Sequence, residues 1–491
     1  MKTLLKQTGL FVLYGTLGVL VALVVVAAVY LESREDLAVW HTVALDEEFH
    51  AGLGLERFSE YLALESRLFD ELEREVVAVV GEGRALNRYS RDSLSSPGRW
   101  PANWNRSFEL VADAPRAGVL MLHGMSDSPY SMRALAERLQ RDGVHVLALR
   151  YPGHGTAPAS LTRTTWEDMA AAVRLAAHHL ETALDDAPVF VFGYSTGGPL
   201  AVELVLAADD GVAAPDGLVL FSPAMGLTPL AALAPWQDRL GRLLGLEKFE
   251  WNTIELEYDP FKYRSFPLNA AIQVWRLSTH VRSLVGEAAE SGRLAAMPPV
   301  LTFQSVADST IDAPALADVL YNRLPEGGHR LVVYDLNRSA GMEALIANDP
   351  TPVLDRLLAD ETLRYEFALI TSTPDGAAMM REGVRSGRAD CGLNARWPRG
   401  VYSLSHVALT FPPDDPLYGG PDAQPSAGVQ LGNVALRGES SALRISPGGL
   451  LRQSWNPFFD TQYAELTYFM GLTERPPCDR PPALRPEATR R

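Results

Sequence analysis

Val191-Phe192-Gly193-Tyr194-Ser195-Thr196-Gly197-Gly198 decides how this chain is read. The stretch carries a G-x-S-x-G pattern. An apolar, β-type run (Pro188 to Phe192) precedes it, and a helix-like segment (Pro199 to Ala208) follows. A serine on a sharp strand-to-helix turn needs small neighbours, because the strained backbone leaves no room for Cβ atoms. Such a turn lifts the hydroxyl above the sheet, where a base can reach it. The next N–H, that of Thr196, then points to where an oxyanion would form. A Gly-rich turn that merely happens to hold a serine is the plainer reading. Strand and helix on the correct sides argue against it.

Upstream, Ala117 to Leu122 is a buried-strand pattern that ends in His123-Gly124-Met125-Ser126-Asp127-Ser128. Gly124 lets the backbone turn toward a substrate carbonyl, and Met125 is expected to give the second oxyanion-hole N–H. His123 precedes the nucleophile and is read as structural. On elbows of this kind the partners follow in the order serine, acid, histidine. Downstream of Ser195, the strand pattern Pro299 to Ser305 leads into Val306-Ala307-Asp308-Ser309-Thr310. Asp308 is therefore the expected acid, placed to orient an imidazole. Asp335, after the strand Arg330 to Tyr334, is the runner-up, and Asp312 is suited to capping the next helix. Of ten histidines, only His406 follows Asp335. His329 precedes a strand and so points to the wrong edge of a sheet. His154, His178 and His179 lie before Ser195. His406 is the expected base.

These motifs resemble the α/β-hydrolase superfamily, and within it the monoacylglycerol lipase and serine-aminopeptidase-like branch. The resemblance rests on the HGMSDS loop, Arg150-Tyr151-Pro152-Gly153-His154-Gly155, Trp166-Glu167-Asp168 opening a helix, GYSTGG, Phe303 to Asp308, and Leu404-Ser405-His406. It covers about residues 105 to 335, with His406 beyond. The resemblance implies an eight-stranded, mostly parallel sheet, an acyl-enzyme mechanism and a lid between strands six and seven. The chain departs from the pattern in one place. Asp308 and His406 stand 98 positions apart, far more than is usual, with an extra segment at about 337–400.

The body alternates strand and helix: Met132 to Arg141 and Trp166 to Leu184 have helical periodicity, while Val144 to Arg150 and Gly217 to Pro223 read as strands. Such alternation makes a parallel sheet covered on both faces, the α/β class. The alternation stops between Ser222 and Pro298, where a lid at about 225–297 is expected. Phe249, Trp251, Tyr258, Phe261, Tyr263 and Phe266 crowd this lid. They suit an apolar pocket for an acyl or alkyl substrate, or else plain packing of the cap.

Gly9 to Leu31 contains no charged side chain. At about 1.5 Å per residue it spans a hydrocarbon core of about 30 Å. Lys2 and Lys6 before it place the catalytic part on the non-cytoplasmic side. Residues 1–31 are thus expected to be a single-pass signal anchor, with a cleaved signal peptide as the rival. Residues 32–104 read as a helical stalk and linker, 105–475 as the hydrolase domain, and the Pro- and Arg-rich 476–491 as a disordered tail.

The net charge of −16 speaks against nucleic acid and against broad adhesion to anionic lipid. No metal or phosphate-loop signature appears, and no cofactor is expected. Cys391 and Cys478 are the only cysteines; outside the cytoplasm they could pair, or remain two free thiols. The expected chemistry is serine-dependent cleavage of a lipid or other acyl ester by Ser195, Asp308 and His406, with Met125 and Thr196 as oxyanion donors. The same triad would serve an acyltransferase. A non-catalytic hydrolase-like binding protein is the third possibility.

Overall fold

Six-residue runs rich in apolar side chains build the middle of the molecule, because a strand buried on both faces has no side to offer water. In the computed structural model, β2 (Ala117–Leu122), β3 (Val144–Leu149) and β8 (Val300–Ser305) are buried at every position. The described residues are 32–474 apart from 185, 208–212, 227–246, 309–312, 339–348, 374, 385–386, 399, 425–427 and 433–451, with scattered positions between 7 and 29. The other strands of the sheet are β1 (Phe108–Leu110), β4 (Val189–Tyr194), β5 (Gly217–Phe221), β9 (Arg330–Tyr334), β10 (Glu366–Ser372), β11 (Ala377–Val384) and β12 (Gly387–Arg396). A small separate ribbon pairs β6 (Trp251–Thr253) with β7 (Phe266–Pro267).

The ten strands run in the order β1-β3-β2-β4-β5-β8-β9-β10-β11-β12. The ladder from β3 to β10 is parallel throughout. β1 closes one edge antiparallel, and β11 and β12 extend the other. Side chains divide between two cores with the period of two that a pleated strand imposes. Leu120, Leu122, Val191, Leu218 and Leu220 face helices Trp166–Ala183, Gly197–Leu206 and Leu268–Glu290. Val119, Met121, Phe192, Val219 and Phe221 face helices Tyr130–Arg141 and Phe459–Phe469.

The sheet is longer than the expected eight strands, and the surplus explains the extra segment at 337–400. It contains helix Thr351–Ala359, the parallel strand β10 and the β11–β12 hairpin. Its two ends meet again. Asn337 N–H donates to the Tyr402 carbonyl and its Nδ2 to the Val401 carbonyl, each at 2.8 Å. The long excursion therefore returns the chain to the place where it left β9.

The segment expected to be a stalk packs onto the body. Phe58, Tyr61 and Leu64 of helix Phe58–Leu72 belong to the same buried cluster as Leu147 and Leu149 of β3. Arg150, just after β3, is 1% exposed. Its guanidinium is met by Glu65 at 3.0 Å and Glu48 at 3.1 Å, both from this segment. A buried guanidinium requires such partners, so residues of the body and of the N-terminal segment depend on each other. Tyr61 Oη also donates to the Arg150 carbonyl at 2.6 Å.

The expected anchor at 9–31 falls partly outside the described residues. Among the described residues, no helix is long and apolar enough to cross a membrane. The described positions there are helical, and Leu10, Phe11, Tyr14, Leu17, Val21 and Val25 are exposed. The tail from 476 lies outside the described residues, as does Cys478; Cys391 is disulfide-bonded.

Candidate active site

The turn after β4 has the strain its sequence foretells. Ser195 sits at φ 52°, a left-handed conformation that costs a non-glycine residue about 1–3 kcal/mol. Its neighbours hold it there. Ser195 N–H donates to the Phe221 carbonyl at 2.9 Å, and its own carbonyl accepts from Gly198 N–H at 3.0 Å and Ala224 N–H at 2.9 Å. A Cβ at Gly193 would lie 2.4 Å from the Gly197 carbonyl oxygen, and one at Gly197 would lie 2.2 Å from that of Leu122. Both glycines are thus fixed by close backbone approach.

The loop after β2 folds over this turn. A Cβ at Gly124 would stand 3.2 Å from Ser195 Cβ and 2.8 Å from Asp127 Oδ2. Among the described residues, neither the Met125 nor the Thr196 N–H donates to a backbone carbonyl. Both are thus spare beside the serine, as an oxyanion hole requires. The segment in which a lid is expected braces the loop. Lys262 Nζ meets Asp127 at 2.8 Å, and Tyr263 N–H donates to the Ser126 carbonyl at 2.9 Å. Several aromatics of this segment pack against the body. Trp251, Tyr258, Phe261 and Tyr263 are buried, and Phe261 stacks on Tyr130 with centroids 4.3 Å apart. Their sequence pattern suited a pocket equally well, because an aromatic that fills a cap and one that lines a cavity have the same composition.

His123 has both nitrogens engaged in the backbone. Its Nε2 accepts from Tyr151 N–H at 3.3 Å, so Nδ1 carries the proton and donates to the Gly124 carbonyl at 2.8 Å. Burial holds this imidazole neutral, well below the usual histidine range. It braces the loop after β2.

His406 opens a short 3-10 turn, His406–Ala408. Its Nδ1 lies 3.3 Å from Asp308 Oδ1, and the Asp308 side chain is only 1% exposed. Gln304 Nε2 donates to the other Asp308 oxygen at 3.5 Å. Ser305 Oγ at the end of β8 donates to the Leu404 carbonyl at 2.6 Å and fastens the histidine loop beside the acid. The imidazole centroid is 6.5 Å from the ring of Tyr194, the residue before the serine. Burial lowers the His406 pKa below its ordinary value. Asp308 opposes that shift, while Arg452 and Lys262 add to it.

The other candidates stand elsewhere. Asp335 is clamped by Arg338 at 2.7 and 2.9 Å and by Thr371 Oγ1 at 2.8 Å. His329 Nδ1 accepts from Val300 N–H at 3.1 Å, at the start of β8 and so at the opposite end of the sheet from Ser195. His154 is buried against His123, and His179 reaches Glu109. Asp312 lies outside the described residues.

Sequence reasoning missed Arg452. Its Nη2 lies 2.8 Å from His406 Nδ1 and 3.3 Å from Nε2. Ser405 Oγ donates to the Gln453 carbonyl and holds this segment against the histidine loop. Arg452 follows a Gly- and Ser-rich stretch with no motif of its own, 46 positions after the histidine.

A parallel sheet, a strained serine at the end of its central strand and a histidine–aspartate pair on the following loops make one architecture. The protein has the α/β-hydrolase fold. Residues 113–336 match the family model described as serine aminopeptidase, S33. The chain is 28% identical over 212 residues to a thermostable monoacylglycerol lipase from Bacillus sp. (strain H-257), covering 43% of this chain and 78% of the relative. Among solved structures, a monoacylglycerol lipase from Paleococcus ferrophilus is 19% identical, with 47% of this chain and 87% of that one covered and a TM-score of 0.35. A thermostable carboxyl esterase from Bacillus coagulans, in complex with glycerol, is 17% identical, with 47% and 84% covered and a TM-score of 0.36.

Proposed function

We propose that the protein is a serine hydrolase that cleaves a carboxylic ester through an acyl-enzyme intermediate. The observation that carries this reading is the His406–Asp308 pair, whose imidazole lies 6.5 Å from the ring of Tyr194, the residue before a serine held at positive φ. Ser195 Oγ attacks the ester carbonyl as His406 Nε2 takes its proton. The tetrahedral oxyanion is held by the N–H groups of Met125 and Thr196, each worth about 2.7–4 kcal/mol in comparable sites. When the carbon–oxygen bond breaks, His406 returns that proton to the leaving alcohol. Water then attacks the acyl-serine, with His406 as base again, and releases the acid. Asp308 keeps Nδ1 protonated and stabilises the imidazolium.

The match to a monoacylglycerol lipase supports a lipid acyl ester as substrate. The exposed apolar helical positions before residue 30, preceded by Lys2 and Lys6, support an anchored protein with its catalytic part on the non-cytoplasmic side.

Labelling with a fluorophosphonate probe tests the chemistry. The parent protein should label at Ser195 and turn over a short p-nitrophenyl ester, and Ser195→Ala should do neither. Equal turnover by the two proteins would sink the assignment.

A further inference from the structure

Arg88 and Arg106 line one cavity of about 500 Å³, which opens between helix Phe58–Leu72 and the loop after β3. Arg88 is 4% exposed. Its Nη2 donates to Asn105 Oδ1 at 2.8 Å and to the Gly155 carbonyl at 3.2 Å, while Nη1 has no acceptor. The positive charge of Arg88 favours the ionised form of buried Glu257. That carboxylate nevertheless accepts from the N–H groups of Arg264 and Ser265, and the two side chains form no ion pair. Arg106, next to Asn105 in the chain, is half-buried with its guanidinium 4.1 Å from the Phe69 ring centroid. Among the described residues its side chain has no hydrogen bond and no ion pair, and burial holds its pKa below the usual arginine range. The other charges around the cavity do not answer these two. Arg91 pairs with Glu73, Arg99 spends Nε and Nη2 on the carbonyls of Ser93 and Asp92, and Asp70 is exposed. The cavity is thus a positive spot on a chain whose net charge is −16.

A guanidinium taken out of water without acceptors costs stability, so the two arginines are set to gain from an anion that enters between them. One guanidinium fork already saturates the two oxygens of a carboxylate. A phosphate monoester brings three oxygens and a second charge, and so can meet two forks at once. We propose that this cavity is a binding site for a phosphate monoester, held by Arg106 and Arg88 with Arg99 adding charge. The volume leaves room for the organic group that carries the phosphate. Ser195, Asp308 and His406 do not line the cavity, so the site goes beyond the hydrolase reading and does not depend on it. Residues of the N-terminal segment and Gly155 and Thr156 of the body share the lining, so a bound ligand would tie the two together and raise the melting temperature.

The test titrates the full chain, in neutral detergent, with glycerol 3-phosphate and with a short-chain phosphatidic acid, by calorimetry. Glycerol serves as the uncharged control. At least one of the phosphates should bind and glycerol should not. The tighter of the two tells a free metabolite from a lipid headgroup. Arg106→Met keeps an apolar stem on Phe69 and removes the donors. Its Kd should rise about tenfold or more, while its melting temperature without ligand stays at or above the parent's, because a half-buried charge without an acceptor has gone. Arg106→Lys should keep part of the affinity, since it retains charge but not the planar fork. Failure of both phosphates to bind the parent, or an unchanged Kd in a folded Arg106→Met, would overturn the proposal. So would binding that fluorophosphonate treatment abolishes, since that ligand would sit at Ser195.

Discussion

At the scale of single residues, two aspartates after neighbouring strands have opposite surroundings. Asp308 faces an imidazole, while Asp335 has its oxygens taken by Arg338 and Thr371. Asp308→Asn should cost activity severely, about 10⁴-fold by analogy with the wrong tautomer that such a change imposes. Asp335→Asn should leave per-molecule activity within a few-fold of the parent and lower stability instead. Esterase kinetics beside thermal melts will separate the two, and the reverse ranking would move the acid to Asp335. His406→Ala should cost nearly as much as Ser195→Ala, because triad members act as a unit. The free enzyme needs His406 neutral, and burial holds its pKa below the ordinary 6.5. A lowered base pKa extends activity toward acid. The acidic limb of kcat/KM should therefore fall below pH 6.5, with activity full above the folded pKa and lost as pH drops through it. A limb above 6.5 would contradict this. The candidate serine, acid and base could be picked out because each sits on a short local pattern in a set order. Arg452 could not, because its meaning comes only from a contact across 46 positions and no pattern marks it.

At the scale of elements, the parallel strands from β2 to β9 were legible as largely apolar runs, whereas the parallel strand β10 lay unread within the extra segment. The β11–β12 hairpin was not legible either. Ala377–Val384 and Gly387–Arg396 mix Met, Arg, Glu, Gly and Asp along an edge, so neither run shows a buried strand's composition. Helix Phe58–Leu72 shows the converse. Its periodicity and a place packed on the hydrolase body were visible, but its buried ion pair was not, since the partner of Glu65 is Arg150, 85 positions away. That pair carries a prediction. Removing one member of a buried, hydrogen-bonded ion pair leaves the other charge without compensation, at about 3–5 kcal/mol. Glu65→Gln should destabilise by about that amount, read as a lowered denaturation midpoint at unchanged slope. Arg150 remains beside Glu48 at 3.1 Å, which argues for the lower end of the range. A midpoint equal to the parent's would show that Glu48 alone suffices.

At the scale of the whole molecule, truncation can test where the proposed anchor ends and the folded body begins. Residues 9–31 hold no charge, and the triad and oxyanion donors all lie beyond residue 120. From Arg34 onward the chain is tied to the body. Arg34 donates to the carbonyls of Trp251 and Asn252, Trp40 stacks on Tyr89, and Phe49 joins the main core. Removing residues 1–31 should therefore release a soluble protein that melts near the parent's temperature and cleaves small soluble esters at the parent's rate. Removing residues 1–57 should not, since it takes away Phe49 and the Glu48 carboxylate and bares apolar surface on the body. The full chain is expected to fractionate with membranes, its catalytic part open to protease only from the non-cytoplasmic face, as Lys2 and Lys6 dictate. The shorter truncation should lose more activity on membrane-dispersed lipid than on soluble ester, because an anchor at 1–31 would contribute nearness to the lipid and no chemistry. Equal activity of parent and truncated protein on both substrates would show that residues 1–31 set location alone. Protection of the catalytic part from protease added outside intact, outer-barrier-stripped cells would refute the orientation.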